Sequence, residues 1–266
     1  MNPFLCIAHR GASGTAPENT LRAICQALAS GAHGVEIDVR LSREGAPVVI
    51  HDARLRRTTG TPGLVASMPL AMLRALDAGE GERLPTLREV LDTVPSQTLL
   101  NIELKARGTA LATLEAVALK RRDTPGWTGG HLLISSFDRS ELATVAAANA
   151  AAPAGERLRI GLLLARRPLG LARLVERFGA YSIHLPLRLT TRSFLARAAA
   201  TGAQLLVYTV NDPGEIGRLQ SLGVHGVFTD YPERALLATS PTLLAGNLLS
   251  PTPAHAALFH SDPRFP

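Results

Sequence analysis

The side chains in this sequence that could catalyse a reaction stand in or directly after four short apolar segments. They are two histidines, three carboxylates and two cations, namely His9, Arg10, Glu36, Asp38, His51, Glu103 and Lys105. Glu36 and Asp38 are two residues apart, and so are Glu103 and Lys105. In a β-strand, residues at this spacing lie on the same face. Three carboxylates and one ammonium group are therefore expected to meet at one opening.

Three buried carboxylates with one nearby lysine repel one another and resist ionisation. A bound divalent cation removes this repulsion, and an all-oxygen set of ligands favours Mg²⁺ or Ca²⁺ over zinc. We therefore predict that Glu36, Asp38 and Glu103 hold such an ion. With Arg10 and Lys105 beside it, the site suits a phosphate group, because cations offset the negative charge that develops on phosphoryl oxygens.

Two histidines could supply the proton transfers that cleavage of a phosphodiester needs. An alkoxide is a poor leaving group, so the reaction needs a base for the attacking oxygen and an acid for the leaving one. His9 follows the first apolar run. A hairpin with its turn centred between Arg43 and Glu44 would place His51 opposite Glu36. We predict that His9 and His51 are this pair, and the sequence leaves open which of them is the acid.

Short apolar runs alternate with helical patterns along most of the chain. The predicted strands cover residues 4–8, 34–39, 98–104, 131–136, 158–164, 181–185, 204–209 and 225–229. The predicted helices cover residues 20–31, 86–94, 110–122, 138–149, 168–178, 191–201, 213–222 and 231–238, and Asn19 and Thr20 are expected to cap the first of them. Eight strand–helix pairs predict an α/β fold of the (β/α)₈ TIM-barrel class, with a doubly wound open sheet as the alternative. In such a barrel, functional residues stand where the strands end.

Two segments depart from this alternation. Residues 52–85 follow the hairpin that extends the second strand, and we expect this small insertion to pack over the mouth of the barrel. From residue 241 onward, five prolines interrupt any periodicity. The sequence therefore predicts a barrel domain over residues 1–240 and a proline-rich tail over residues 241–266.

The composition excludes several classes of function. The chain has 266 residues, 46% of them hydrophobic, which suits one large domain with a sizeable core. The charges that give the net +6 are scattered, with no run of five like charges, which argues against nucleic-acid binding. The sequence has no apolar run long enough for stable membrane insertion and no export signal. Cys6 and Cys25 are predicted to be buried thiols, so we expect a cytoplasmic protein. We expect its partner to be a small-molecule substrate. The oligomeric state stays open, a homo-oligomer included.

Several motifs, in this order along the chain, resemble the glycerophosphodiester phosphodiesterase family. They are His9-Arg10-Gly11-Ala12-Ser13, Pro17-Glu18-Asn19-Thr20, Glu36-Ile37-Asp38-Val39, Pro47-Val48-Val49-Ile50-His51-Asp52, Arg57-Thr58-Thr59, Leu84-Pro85-Thr86-Leu87, Asn101-Ile102-Glu103-Leu104-Lys105, Tyr208-Thr209-Val210-Asn211 and Gly226-Val227-Phe228-Thr229-Asp230-Tyr231-Pro232. The resemblance extends over residues 5 to 238, and the motifs of the first half are highly specific in combination. Arg56 and His225 depart from the residues common in the family.

This resemblance implies a barrel of the phospholipase C-like type that uses a divalent metal to hydrolyse glycerophosphodiesters to sn-glycerol 3-phosphate and an alcohol. It assigns the same acid/base histidines, metal ligands and phosphate-contacting cations that the residues themselves indicate. It adds Tyr208, which falls where the family often has tryptophan, as a residue of the glycerol pocket. Two alternatives stay open: a phospholipase-like enzyme acting on lipid headgroups, and a non-catalytic barrel that binds phosphorylated ligands.

Overall fold

The apolar runs of the sequence form nine β-strands in the part of the chain that the structure, a computed structural model, describes, which is residues 4–127 and 131–239. The strands are β1 (Leu5–His9), β2 (Gly34–Leu41), β3 (Pro47–Val49), β4 (Leu99–Leu104), β5 (Leu132–Ser136), β6 (Arg159–Leu163), β7 (Ser182–Pro186), β8 (Gln204–Tyr208) and β9 (Gly226–Thr229). Every residue of β4, β5, β7 and β9 is buried, as expected for strands covered on both faces.

The strands close into a barrel. The sheet runs in the order β1-β9-β8-β7-β6-β5-β4-β2-β3, and an additional pairing of β1 with β2 closes the ring. All pairings within the ring are parallel, whereas β3 pairs antiparallel with β2 as the returning arm of a hairpin. The predicted (β/α)₈ barrel is therefore confirmed, and the open sheet is excluded.

Helices connect the strands, and most of them cover the outside of the barrel. They are α1 (Leu21–Ala29), α2 (Arg56–Thr59), α3 (Leu70–Arg74), α4 (Leu87–Thr93), α5 (Thr109–Asp123), α6 (Arg139–Ala151), α7 (Leu171–Phe178), α8 (Arg192–Ala199), α9 (Pro213–Ser221) and α10 (Pro232–Thr239). Thr86 and Glu89 form a reciprocal capping box that fixes the start of α4, and Asp212 accepts a hydrogen bond from the Glu215 backbone at α9. Within the described residues, no helix has the length and apolar character that crossing a membrane requires.

Two apolar layers hold the barrel together. The larger lies between the strands and the helices and includes Ile37, Ile102 and Phe194. The smaller fills the barrel interior and consists of Ile7, Leu99, Leu133, Leu206 and Phe228. Above this inner layer, the alternate residues of β4 change from Leu99 to Asn101 and then Glu103. Apolar side chains thus fill the barrel at one end, and polar side chains line it at the other.

The hairpin register differs from the prediction by one residue. Val39 pairs with Val49 and Leu41 with Pro47, so position 36 would face position 52 rather than His51. The turn is therefore one residue longer than expected. His51 follows shortly after the returning arm, and its backbone carbonyl accepts a 2.7 Å hydrogen bond from Arg40 Nε on β2. This bond and the 2.9 Å bond that the Ile50 backbone N–H donates to the Asp38 carbonyl together hold His51 beside β2.

The insertion over residues 52–85 has a small core of its own. Val48 and Ile50 of the hairpin pack with Leu55, Val65 and Leu73 of the insertion, all buried. The apolar residues of the insertion are thus largely committed to packing, which leaves few of them for contact with a lipid surface. The proline-rich tail predicted over residues 241–266 lies outside the described residues.

The two cysteines lie in different environments. Cys6 is buried as expected, but Cys25 is exposed on α1, so its predicted burial is wrong. Cys25 stands next to the buried Ile24, on the boundary of the apolar face of the helix, and the next residue of the chain already faces solvent. An apolar neighbour in sequence was therefore a poor guide to burial here.

Candidate active site

Three carboxylates meet at the polar end of the barrel. Glu36 and Asp38 point inward from β2, and Glu103 points inward from β4, where the parallel register pairs it with Asp38. One oxygen from each carboxylate lies within 4.8 Å of the other two. Glu36 and Asp38 are 2% and 1% exposed. The structure thus brings together the three carboxylates that the sequence spacing predicts at one opening.

Two cations contact this cluster from different sides. The backbone N–H of Arg10 donates to Glu36 Oε2 at 2.9 Å, and its guanidinium Nε lies 3.1 Å from Asp38 Oδ2. The ammonium group of Lys105 donates to Glu103 Oε1 at 2.7 Å and lies 3.5 Å from Asp38 Oδ1. Both cations therefore stand beside the carboxylates, as the sequence analysis expects of groups that contact a phosphate there.

Burial and mutual repulsion set the pKa values of the carboxylates. Burial raises the pKa of Glu36 well above its ordinary value, and Asp38 and Glu103 raise it further. Burial and Asp38 also raise the pKa of Glu103, against the opposing effect of Lys105. Burial also favours a higher pKa for Asp38, but the positive charges of Arg10 and Lys105 outweigh burial, so the pKa of Asp38 is lowered. Glu36 is therefore the carboxylate least able to carry its charge without a further cation.

The cluster fits a divalent metal ion by two independent criteria. Glu36 Oε1 and Asp38 Oδ1 are buried and have no hydrogen-bond partner among the described residues. Buried oxygens of this kind are unfavourable unless something binds them. The set of ligands is all oxygen, which suits Mg²⁺ or Ca²⁺. The residues present can therefore hold such an ion.

The loop from β1 to α1 adopts an unusual backbone to build this corner. Arg10 and Asn19 have φ values of 59° and 60°, in the left-handed region that residues other than glycine rarely adopt. Asn19 donates through Nδ2 to Asp38 Oδ2 at 2.9 Å and accepts from the Asp38 backbone N–H at 3.1 Å. The cap of α1 comes from Thr20 alone, whose hydroxyl accepts from the Ala23 backbone. Asn19 instead holds Asp38, so its predicted capping role is wrong.

Each of the two histidines is held at Nδ1 by an aspartate. His9 Nδ1 lies 2.8 Å from Asp230 Oδ1, in the loop after β9. Burial raises the pKa of Asp230, but hydrogen bonds from His9 and Asn211 outweigh it and lower the pKa to about 2. Asp230 is therefore ionised at neutral pH and can only accept, so Nδ1 of His9 carries the proton. No hydrogen bond to the described residues occupies its Nε2 atom, which is therefore available for chemistry.

His51 has the same arrangement with a different partner. Its Nδ1 lies 2.6 Å from Asp52 Oδ1. Arg57 of the insertion binds Asp52 and lowers its pKa far below the ordinary value, with a further contribution from His51. Burial lowers the pKa of His51 itself, outweighing Asp38 and Asp52, which raise it. His51 is thus mostly neutral near pH 7, with Nε2 free of partners among the described residues.

One carboxylate links the two halves of the site. Glu18, in the loop after β1, accepts from Arg10 Nη1 at 3.0 Å and from Arg57 Nη1 and Nη2 at 2.6 and 2.7 Å. Arg57 in turn holds the Asp52 that orients His51. A continuous chain of ion pairs and charged hydrogen bonds therefore runs from the acidic cluster to the second histidine, through the insertion.

A cleft of about 240 Å³ opens beside these groups. His9, Arg10, Glu36, His51, Glu103 and Lys105 line it, together with Asn101, Phe137, Leu163, His184, Tyr208, Thr209 and Phe228. The hydroxyl of Tyr208 donates to the Leu164 carbonyl at 2.8 Å, and burial raises the pKa of Tyr208 to about 12. Tyr208 is therefore a neutral wall of the cleft, next to Phe137 at an edge-to-face angle of 86°.

Comparison with known proteins decides the family. The model of the glycerophosphoryl diester phosphodiesterase family matches residues 9–234. The chain belongs to this family. A glycerophosphodiester phosphodiesterase of Caldanaerobacter subterraneus subsp. tengcongensis is 34% identical over 237 residues, which cover 86% of this chain and 95% of that protein.

Solved structures of the family agree with this assignment. A phosphodiesterase of Oleispira antarctica, in complex with the product sn-glycerol-3-phosphate, superposes with a TM-score of 0.78 at 32% identity. The match covers 88% of this chain and 96% of that one. A glycerophosphodiester phosphodiesterase of Thermotoga maritima has a TM-score of 0.71 at 28% identity, with 89% and 99% covered. The predicted membership and enzyme class are thus confirmed.

Sequence reasoning missed several residues that the structure brings into the site, among them two aspartates, a glutamate and an asparagine. Asp52 and Asp230 stand within motifs that carry the family resemblance, but the motifs by themselves give neither residue a role. Glu18 and Asn19 lie in the Pro17-to-Thr20 motif, which has the pattern of a helix start. For Asp52 and Asp230 a signal was available, because a polar residue directly after a predicted strand lies at the face where the other functional residues collect.

Proposed function

We propose that this chain hydrolyses glycerophosphodiesters to sn-glycerol 3-phosphate and an alcohol, with a divalent metal ion and with His9 and His51 as the acid/base pair. The observation that carries the proposal is the matched environment of the histidines. Each is bound at Nδ1 by an ionised aspartate and leaves Nε2 open beside an acidic cluster with unpartnered oxygens. A binding protein for phosphorylated ligands has no need of two such groups.

The aspartates determine what the histidines can do. Because Asp230 and Asp52 fix the proton on Nδ1, a neutral imidazole presents a lone pair at Nε2 and a protonated one presents a donor there. In a displacement at phosphorus the attacking and leaving oxygens stand on opposite sides. We propose that one histidine faces each side, so that one removes the proton of the attacking oxygen while the other protonates the leaving alkoxide.

Glu36, Asp38 and Glu103 are the proposed ligands of Mg²⁺ or Ca²⁺. When bound, such an ion polarises a phosphoryl oxygen and offsets the charge that builds up during displacement. Arg10 and Lys105 stand against the same carboxylates and are the proposed phosphate contacts. Arg10 is held in place by its own strained backbone and by Glu18, so it orients the phosphate without a large entropic cost.

The Oleispira antarctica relative contains sn-glycerol-3-phosphate, which supports a glycerol-bearing half of the substrate for this chain as well. We propose that Tyr208 forms the apolar wall against which the glycerol carbons pack. We also propose a cytoplasmic location, since Cys25 is an exposed free thiol and such thiols persist in reducing compartments.

The test is the release of sn-glycerol 3-phosphate from glycerophosphocholine and glycerophosphoethanolamine, with Mg²⁺, with Ca²⁺ and with EDTA. We expect product with at least one of the ions and none with EDTA. Intact phosphatidylcholine should yield no product under the same conditions. Full activity in EDTA would refute the metal requirement, and cleavage of the intact lipid alone would favour the phospholipase-like alternative.

A further inference from the structure

The net positive charge of the chain comes from one part of the barrel, although no run of five like charges occurs there. Residues 157–197, which we name the basic segment, hold nine arginines and one acidic residue, Glu176. The rest of the chain holds 19 basic and 21 acidic residues. The basic segment therefore accounts for the whole net charge of +6.

Part of the basic segment lies at the catalytic end of the barrel. The segment covers β6, α7, β7 and α8. Arg166 and Arg167 follow the end of β6, and Arg188 follows the end of β7. Because the ends of the parallel strands surround the active site of a TIM barrel, these three arginines stand at the rim of the cleft.

A groove of about 1060 Å³ leads away from the catalytic cleft between the loops that follow β5 and β6. Phe137 and Leu163 line both the groove and the cleft, so the two adjoin at these side chains. Arg139, Arg166 and Arg167 line the groove itself. A substrate bound at the histidines could therefore extend past Phe137 into a basic channel.

The charges of these arginines are not neutralised by neighbouring carboxylates. Arg139 and Arg166 are exposed and make no hydrogen bond or ion pair with any residue in the described ranges. Arg167 donates to the Thr191 hydroxyl at 2.9 Å, and its guanidinium lies 5.3 Å from the centre of the Phe194 ring. These contacts orient Arg167 and leave its charge free for a ligand.

Two further charged residues border the groove. Arg188 donates to the Ala165 carbonyl, and its charge acts on the hydroxyl of Tyr208 in the wall of the cleft. Arg188 therefore lies near both the groove, which Ala165 lines, and the Tyr208 wall of the cleft. Asp138 is acidic, but its Oδ1 already accepts hydrogen bonds from the backbone and hydroxyl of Ser140, at 2.8 and 2.6 Å. The groove as a whole is positive.

We propose that this groove binds the alcohol half of the diester and selects alcohols that carry a carboxylate or a phosphate of their own. The proposal rests on the proposed function, because it needs a diester held at the two histidines. Guanidinium groups bind such oxyanions through paired N–H donors, and no described residue uses the donors of Arg139 and Arg166. A cationic alcohol such as choline would be repelled by the same groups.

A matched pair of substrates tests the proposal. Glycerophosphoserine and glycerophosphoethanolamine differ by one carboxylate on the alcohol half. We expect kcat/KM to be at least about tenfold higher for the serine diester, since a hydrogen bond to a charged group contributes on this scale. The preference should fall as salt is raised, because the arginines are exposed to solvent.

Paired variants locate the effect. Arg139→Ala with Arg166→Ala should bring the ratio of the two kcat/KM values close to one. Arg177→Ala with Arg197→Ala is the control, because it removes the same charge from the last turns of α7 and α8, at the opposite end of the barrel. The control should keep both the rates and the ratio of the wild-type enzyme.

Several results would overturn the proposal. If the wild-type enzyme hydrolyses the ethanolamine diester but the ratio of the two kcat/KM values is near one, the proposed role of the groove is refuted and the proposed function is not. Equal rates together with binding to phosphatidylglycerol vesicles that is lost on substitution of Arg139 and Arg166 would assign the arginines to a lipid surface instead. Absence of hydrolysis of either diester would refute the proposed function and this proposal with it.

Discussion

Replacing Glu36 by glutamine should stabilise the metal-free protein and remove most of the stabilisation that a divalent ion gives. Glu36 is 2% exposed, and its Oε1 has no hydrogen-bond partner among the residues the structure describes. Burial and two neighbouring carboxylates raise its pKa, so the folded state holds this proton more tightly than the unfolded chain. Such a group contributes stability that is complete below its ordinary pKa and is lost as the pH rises through the raised value. The benefit of glutamine should therefore grow as the pH rises above 4.5.

The unpartnered oxygen gives the expected size of the effect. A buried polar atom without a partner costs about 1–3 kcal/mol. Glutamine removes the charge, and its amide can donate to Asp38 Oδ1, a second unpartnered oxygen in the same cluster. Since about 1 kcal/mol shifts the Tm of a domain of this size by about 2–4 °C, the metal-free variant should melt about 2–12 °C higher than the wild type. A divalent ion at a concentration of 100 times its Kd adds about 2.7 kcal/mol to the free energy of unfolding of the wild type.

Differential scanning calorimetry at pH 5 and pH 8, in EDTA and in saturating Mg²⁺ or Ca²⁺, measures both effects. Glu115→Gln is the matched control, because Glu115 is exposed on α5 and should change neither Tm nor the response to the ion. A Glu36→Gln variant that melts lower than the wild type in EDTA at pH 8 would refute the electrostatic reasoning. A variant that keeps the full rise in Tm on addition of the ion would remove Glu36 from the metal site.

Three further predictions concern the neighbouring residues and the tail. Glu103→Gln should weaken Mg²⁺ or Ca²⁺ binding at least about tenfold in calorimetric titration, and unchanged affinity would contradict its role as a ligand. Asp230→Asn and Asp52→Asn should each lower kcat by about 10–100-fold with little change in metal affinity, as measured by the same titration and by steady-state assay. In Asp52→Asn, the limb of the pH–rate profile that reflects the ionisation of His51 should move to lower pH, because Asp52 raises the pKa of His51. Removal of residues 251–266, which we propose have no structural role, should leave Tm and activity unchanged, whereas a large drop in Tm would contradict this.

The strands and helices could be predicted because of how a barrel buries them. A ring of parallel strands covered by helices is apolar on both faces, so each strand appears as a continuous run of Leu, Ile and Val. The acidic cluster could be predicted for a related reason. Side chains two residues apart on a strand share a face, so the spacing of Glu36 and Asp38 in the sequence is enough to place them side by side.

The partners of the histidines could not be derived from spacing. Asp230 lies 221 residues after His9, and the two meet because β9 pairs with β1 when the ring closes. The predicted register of the hairpin was wrong by one residue, because the number of residues in a loop does not determine where the ladder ends. The role of Asn19 was wrong because it depends on a left-handed backbone, and the sequence pattern of a helix start hides that conformation.

The leaving-group dependence of the two histidine variants tests the central claim most directly. His9→Ala and His51→Ala should each lower turnover on glycerophosphoethanolamine by about two to four orders of magnitude, with metal binding kept. With glycerophospho-p-nitrophenol, whose leaving group needs little protonation, the variant that lacks the acid should recover most of its activity and the variant that lacks the base should not. Recovery of one variant alone is the result the two-histidine account predicts. Equal recovery of both variants, or near-normal turnover of either on the ethanolamine diester, would contradict it.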